Sequence, residues 1–278
     1  MRKNSISIGK PEKGCINEDA VLARDKMIAV SDGAGGGGLF AERWSAYLLK
    51  HLPNTPICSV EELDKWIDNI WEPYYKQCEK AAKSLGGLSL DKFYEEGSFA
   101  TLVAIWRVSD SQCKWISFGD SVAFHYNYAT HVLEYSFGSL ADFDKPPYLI
   151  NCKDELIKEG FRNGTFHTGT DSVVFVASDA LAHYIMMMYQ IAAKKQFSGE
   201  LDIAESNHTK NENFIKTAKA RGCTNFEQEV LDKLFRSIES PKKFQRFITN
   251  LIKKGLIAYD DYSLAVLKVN EPFGTNQR

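Results

Sequence analysis

The sequence predicts an α+β chain in which antiparallel strands and amphipathic helices build one core. Three observations predict it. Short β-branched runs alternate with turns near the N-terminus, and a second group of strands between 99 and 136 follows at close spacing, which favours antiparallel pairing. Two further stretches repeat apolar residues at helical intervals. With 278 residues, 44% of them hydrophobic and 25% charged, the chain can bury a core of that size.

In chain order, Ser5–Ile8, Ala20–Ala23 and Met27–Ser31 read as strands, and the third ends in a glycine-rich turn over Asp32–Gly38. Phe40–Leu52 reads as an amphipathic helix stopped by Pro53. Val60–Leu85 reads as a second helix with Ser59 as N-cap and Glu62 three residues on, kinked or split at Pro73. Strands follow at Phe99–Val108, Cys113–Phe118, Val122–Asn127 and Val132–Ser136. Residues 138–165, with Gly, Asp and a Pro–Pro pair, read as an irregular surface flap. Val173–Ala177 and Ser263–Val269 are the last strands. Between them, 194–254 is polar, helix-prone and basic, with 13 Lys and Arg against 8 Asp and Glu. The expectation is one domain over 1–278 with this segment as a helical insertion before the last strand.

Composition excludes several classes. A net charge of −2 gives no field for nucleic acid or an anionic membrane. The longest apolar stretch, Val173–Ala193, is interrupted by Ser178, Asp179, His183 and Gln190, so it reads as a buried strand and helix and not as a membrane span. Met1–Lys10 has no apolar run of a signal peptide, and the six cysteines form no CxxC pair; both point to a reduced, cytoplasmic protein. The histidines form no HxxxH or HExxH pattern, so any metal here is held by carboxylates. The Gly35–Gly38 run lacks the Lys-Ser/Thr of a P-loop and reads as a turn that lets backbone approach closely.

The informative pattern is where acids stand. Glu18 and Asp19 precede a strand; Asp32 ends one and is followed by Gly33; Asp120 lies in a tight strand connection; Asp179 ends another strand; Asp260 and Asp261 precede the last. One such Asp is usually a turn former. Five sites abutting apolar strands suggest clustered carboxylates, which repel unless a cation neutralises them, and all-oxygen ligands select hard ions such as Mg²⁺ or Mn²⁺.

In order, Asn17-Glu18-Asp19, Ser31-Asp32-Gly33, Gly119-Asp120-Ser121, Ser178-Asp179 and Asp260-Asp261-Tyr262-Ser263 resemble the motifs of the PPM/PP2C metal-dependent protein serine/threonine phosphatases. The resemblance implies an α-β-β-α sandwich of two antiparallel sheets flanked by helices. It implies that Asp32 bridges two Mn²⁺ or Mg²⁺ ions with the Gly33 carbonyl as a further ligand. Asp179 and Asp260 complete one site, Glu18 holds the second ion, and Asp19 orients its waters. Asp120, with Asp179, serves a weaker third metal. The implied reaction is hydrolysis of phosphoserine and phosphothreonine in proteins by a water or hydroxide bridging the two ions. Implied partners are a phosphorylated protein and a cognate Ser/Thr kinase.

The chain departs from that pattern in four places. Gly14 stands where many members carry a phosphate-clamping Arg, leaving Lys13 and Lys10 as candidate phosphate ligands. Ala34 replaces a His, Ala180 a Gly, and Asp261 an Asn. Gly14 and Ala34 keep an alternative open, a weakly active pseudophosphatase that acts as a phosphoprotein-binding or scaffold module.

Overall fold

The computed structural model describes residues 4–12, 14–206, 209, 211–267 and 269. The chain runs through β1 (Ser5–Ile8), β2 (Ala20–Arg24) and β3 (Met27–Ser31), then helices α1 (Ala41–His51), α2 (Val60–Leu85) and α3 (Gly87–Glu96). Strands β4 (Phe99–Ala100), β5 (Leu102–Arg107), β6 (Gln112–Phe118), β7 (Val122–Asn127) and β8 (Val132–Tyr135) follow, and then β9 (Ile150–Asn151), β10 (Phe161–His167) and β11 (Ser172–Ala177). Helices α4 (Asp179–Ala192), α5 (Lys194–Ser206), α6 (Glu212–Arg221), α7 (Asp232–Ser237) and α8 (Pro241–Lys253) precede the final strand β12 (Tyr262–Leu267).

Two five-stranded antiparallel sheets form the centre, one ordered β1-β12-β11-β7-β8 and the other β10-β6-β5-β3-β2. Their period-2 alternation sorts side chains into layers. On β3, Ile28 and Val30 face the gap between the sheets, while Met27 and Ala29 face the first helices. On β11, Val174 and Val176 enter the same gap, whereas Phe175 and Ala177 face the later helices. Both faces of each central strand are therefore apolar and covered. The result is the α-β-β-α sandwich, with α1–α3 on one side and α4–α8 on the other.

Helix α4 explains the long apolar stretch. Every residue from Ala180 to Ile191 is buried, because the helix is enclosed by the sheet on one side and the later helices on the other. Among the described residues no helix is long and apolar enough to cross a membrane. The segment over 194–254 is helical as read, but much of its charge is spent internally: Lys216, Lys219, Arg236 and Lys243 pair with acids of the same segment.

Of the two outcomes expected at Pro73 the split does not occur, and two further expectations need correction. Helix α2 runs as one element through Pro73; the Tyr47 hydroxyl donates to the Ile70 carbonyl (3.0 Å) beside the bond that proline cannot make. The predicted strand Phe99–Val108 is broken at Thr101: its N–H still meets the in-register Asp32 carbonyl (2.8 Å), but the Asp32 N–H goes to the Thr101 hydroxyl and the Ser31 hydroxyl donates to the Thr101 carbonyl (2.7 Å). Residues 138–165 are not a surface flap throughout. Ile150 and Cys152 are fully buried, and Phe161–His167 is a regular edge strand paired with β6 along all seven residues. Its polar side chains and Gly164, which allows close packing on Trp115, hide the strand pattern.

Candidate active site

The predicted acids converge on one end of the sandwich, and backbone hydrogen bonds fix how each arrives. Asp32 leaves β3 with its N–H on the Thr101 hydroxyl (3.1 Å) and its carbonyl on the Thr101 N–H. Thr101 in turn meets the Ser121 hydroxyl (2.8 Å), which ties Asp32 to the connection that carries Asp120. Gly33 donates to the Glu18 carbonyl (3.2 Å) and faces the first turn of α1; a Cβ there would come within 2.6 Å of the Glu18 backbone oxygen and 2.8 Å of Ala41. Only glycine allows that approach. At Gly35 a Cβ would overlap the Glu18 carboxylate, so a side chain there would displace that carboxylate from its present position.

Asp261 acts as a clamp. Its two carboxylate oxygens accept the N–H groups of Lys10 (2.7 Å) and Glu18 (2.8 Å), so the N-terminal segment is held against the start of β12. Lys10 reaches the site through its side chain as well, pairing with Asp260 at 3.0 Å. Lys13 lies outside the described residues. Gly14 is exposed at φ 95°, a conformation that favours glycine over the Arg that the resemblance implies there.

Asp179 occupies the first turn of α4, where helix N-termini favour negative charge, and accepts the Ala180 N–H (2.5 Å). Asp120 follows Gly119, which adopts φ 98° and has Thr101 and the Tyr148 carbonyl where a side chain would be. The Gly119 carbonyl accepts from Arg162 of β10.

These carboxylates feel one another. Burial first, and then the like charges of Asp19, Asp179, Asp120 and Asp260, raise the Asp32 pKa well above the usual carboxylate range. Asp179 is raised by burial and by Asp120 and Asp260. Burial raises Glu18, with Lys10 opposing. Lys10 would be lowered by burial, but its contact with Asp260 and the charges of Asp261 and Glu18 outweigh that and raise it. Asp19 is 8% exposed and burial pushes it up to about 7, although Ser263, Asp32 and Ser178 favour its ionised form. Neither Asp19 oxygen has a well-formed hydrogen bond. Among the described residues no three His, Cys, Asp or Glu side chains form a ready-made metal-ligand group.

Sequence reading missed the residues that support the acids. A row of buried or half-buried hydroxyls joins Asn17 to Ser7 (2.7 Å), Ser7 to Ser263 (2.8 Å), and the Ser263 N–H to Ser178 (3.0 Å). Ser121 stood in one of the motifs without a role, and Thr101 and Arg162 stood outside all of them. The adjacency of Ser178 and Ser121 to predicted acids was the one available signal.

No protein-family model and no curated protein matches the sequence. Solved structures do match. The serine/threonine phosphatase PstP/Ppp of Mycobacterium tuberculosis superposes over 94% of this chain and 95% of its own, at 14% identity and a TM-score of 0.50. The chain has a PP2C-type phosphatase fold. Two further structures with this PP2C-type likeness are PppA of Pseudomonas aeruginosa, described as a key regulatory component of T6SS, and Stp1 of Staphylococcus aureus. PppA has 17% identity, coverage of 94% and 94%, and a TM-score of 0.49. Stp1 has 13% identity, coverage of 96% and 94%, and a TM-score of 0.49.

Proposed function

We propose that this chain is a metal-dependent protein serine/threonine phosphatase whose site is the carboxylate cluster at the end of the sandwich. One observation carries the reading: the charges of Asp19, Asp179, Asp120 and Asp260 converge on the buried Asp32, and the most buried of these strand-end acids by exposed surface, Asp19, has no well-formed hydrogen bond on either oxygen. Such an arrangement is costly unless a cation is bound. The donor set fits a hard divalent ion, because it contains only oxygen, and Gly33 and Gly35 leave room that a side chain would fill.

In this reading Asp32 would be shared by two Mn²⁺ or Mg²⁺ ions, with the Gly33 carbonyl, Asp179 and Asp260 holding one ion and Glu18 the other. Asp19 would orient water, and Asp120 would serve a weaker third position with Asp179. The ions, when bound, supply an activated water and positive charge opposite the phosphoryl oxygens. The protein's own part is to hold these oxygens in place. Asp261 pins the backbone of Lys10 and Glu18, Thr101 couples Asp32 to the Asp120 turn, and Lys10 brings a positive charge to the rim for the substrate phosphate.

The chain acts as a single domain over 1–278, with 194–254 a basic helical insertion that selects acidic phosphoprotein partners, in the cytoplasm and opposite a Ser/Thr kinase. Neutralising Lys242, Lys253 and Lys254 together is expected to leave aryl-phosphate turnover unchanged and to weaken activity on an acidic phosphoprotein, more at low salt than at high. Equal loss on both substrates would give the segment a structural role instead.

The decisive experiment is hydrolysis of an aryl phosphate and a phosphothreonine peptide with added Mn²⁺, and again in excess EDTA. Turnover is expected only with metal; full activity in EDTA would sink the mechanism. The pseudophosphatase reading draws on Gly14 and on Lys10 held by Asp260. Tight phosphopeptide binding without Mn²⁺-dependent turnover would favour it.

A further inference from the structure

The PP2C-type fold and the acid cluster leave one charged side chain beside the site without a role. Arg162 lies on the edge strand β10, opposite Ser117 of β6. From there its guanidinium reaches past the end of β6: Nη2 donates to the Gly119 carbonyl, and Cζ stands 4.8 Å from the centre of the Phe137 ring. Its Nε is buried and has no partner. The charges that act on it are those of Asp120 and Asp142.

The position matters because of what Gly119 does. With φ at 98°, and with Thr101 and the Tyr148 carbonyl packed where a side chain would be, Gly119 turns the chain from β6 into β7 at a single point. The peptide whose carbonyl Arg162 grips is the one that leads into Asp120. The ladder of seven residue pairs between β10 and β6 already holds the two strands together, so strand pairing does not require this contact. A planar guanidinium can stack on Phe137 and donate in its own plane together; a lysine ammonium cannot. Phe137 is itself braced, 4.3 Å from Phe143, which meets His183 of α4 edge-on at 5.3 Å.

We propose that Arg162 is a positioning residue for Asp120: tied to the Gly119 carbonyl and stacked on Phe137, it sets where the Asp120 carboxylate stands in the cluster. The effect on catalysis rests on the phosphatase reading above; the anchoring of the turn does not.

Arg162→Gln separates the two. Amide hydrogen exchange at Gly119–Ser121 is expected to rise about tenfold while the centre of β6 keeps its protection. In Mn²⁺-dependent aryl-phosphate hydrolysis, kcat is expected to fall about tenfold with KM within about twofold. In an Asp120→Ala background the same substitution is expected to change kcat less than about twofold, because the residue through which it acts is gone. Arg162→Lys, which keeps the charge and the stem, gives a fold-preserving second variant with a smaller rise in exchange. Unchanged exchange at Gly119–Ser121 in both variants overturns the anchor. A full tenfold loss of kcat in the Asp120→Ala background overturns the action through Asp120, and a loss confined to KM would make Arg162 a phosphate-binding group instead. If the unsubstituted protein shows no Mn²⁺-dependent hydrolysis, the phosphatase reading fails and the exchange measurement still decides the anchor.

Discussion

The two ends of the sandwich treat buried polar groups in opposite ways. At one end Asp19 is 8% exposed and neither of its oxygens has a well-formed hydrogen bond. At the other, His125 is 3% exposed, and both ring nitrogens are satisfied, by Glu134 at 2.5 Å and by the Ser172 hydroxyl at 2.9 Å. Ser172 also accepts the Gly169 N–H (3.0 Å), which closes that network on itself. The His125 group resembles a serine–histidine–acid relay in its spacing, but its serine is 3% exposed and faces the protein interior. A satisfied network costs little and steadies the fold, whereas an unsatisfied buried carboxylate is costly in the absence of a further partner. On the proposed reading, the difference separates a structural end from a functional end.

The strongest way to break this contrast is Asp32→Asn. If Asp32 serves both metal positions, kcat with Mn²⁺ is expected to fall by about 10³-fold or more. The same change removes a carboxylate whose pKa the cluster raises, so the metal-free protein is expected to melt at a higher temperature, by a few degrees. Near-normal turnover, or a lower melting point without metal, would contradict the functional end. Gly35→Ala comes next: its Cβ would overlap the Glu18 carboxylate, and the Mn²⁺ concentration for half-maximal activity is expected to rise by about 10–100-fold. Titration of activity against Mn²⁺ reads this directly, and an unchanged requirement would remove Glu18 from the ligand set.

His125→Ala tests the structural end. It strands Ser172 without its ring partner, so a loss of about 1–3 kcal/mol in denaturant unfolding is expected, with kcat per folded molecule unchanged. A selective loss of kcat would erase the distinction between the two ends. The smallest effect concerns pH. The Asp19 pKa in the folded protein is raised from 3.8 to about 7, so between those values the folded state binds more protons than the unfolded chain. Stability without metal is therefore present at low pH and lost as pH rises through that window. Thermal unfolding in EDTA is expected at a lower temperature near pH 8 than near pH 5, and saturating Mn²⁺ is expected to reduce the difference. A midpoint that rises with pH in EDTA would show that Asp19 is not held protonated by burial.

Much of the frame was legible in the chain. Met27–Ser31, Val122–Asn127 and the helix over Val60–Leu85 match the expected boundaries, and Ser59 caps α2 by accepting the Glu62 N–H (3.2 Å) as its spacing predicts. These signals are local: alternation, helical spacing and capping lie within a few residues of one another. The acids were legible for the same reason, each standing next to its own strand. Sequence alone thus determined which residues end strands as carboxylates and where the strongly patterned strands and helices lie. Tertiary structure alone decided what supports them. β10 is an edge strand whose polar residues face no sheet partner on one side, so its pattern carries no signal, and Arg162 reaches Gly119 across 43 positions of sequence. Thr101, Asp261 and the hydroxyls of Ser7, Ser178 and Ser263 each have a partner far along the chain, between 69 and 256 residues away. Burial and hydrogen bonding of that range arise only when the two sheets close on each other, and no window of neighbouring residues contains them.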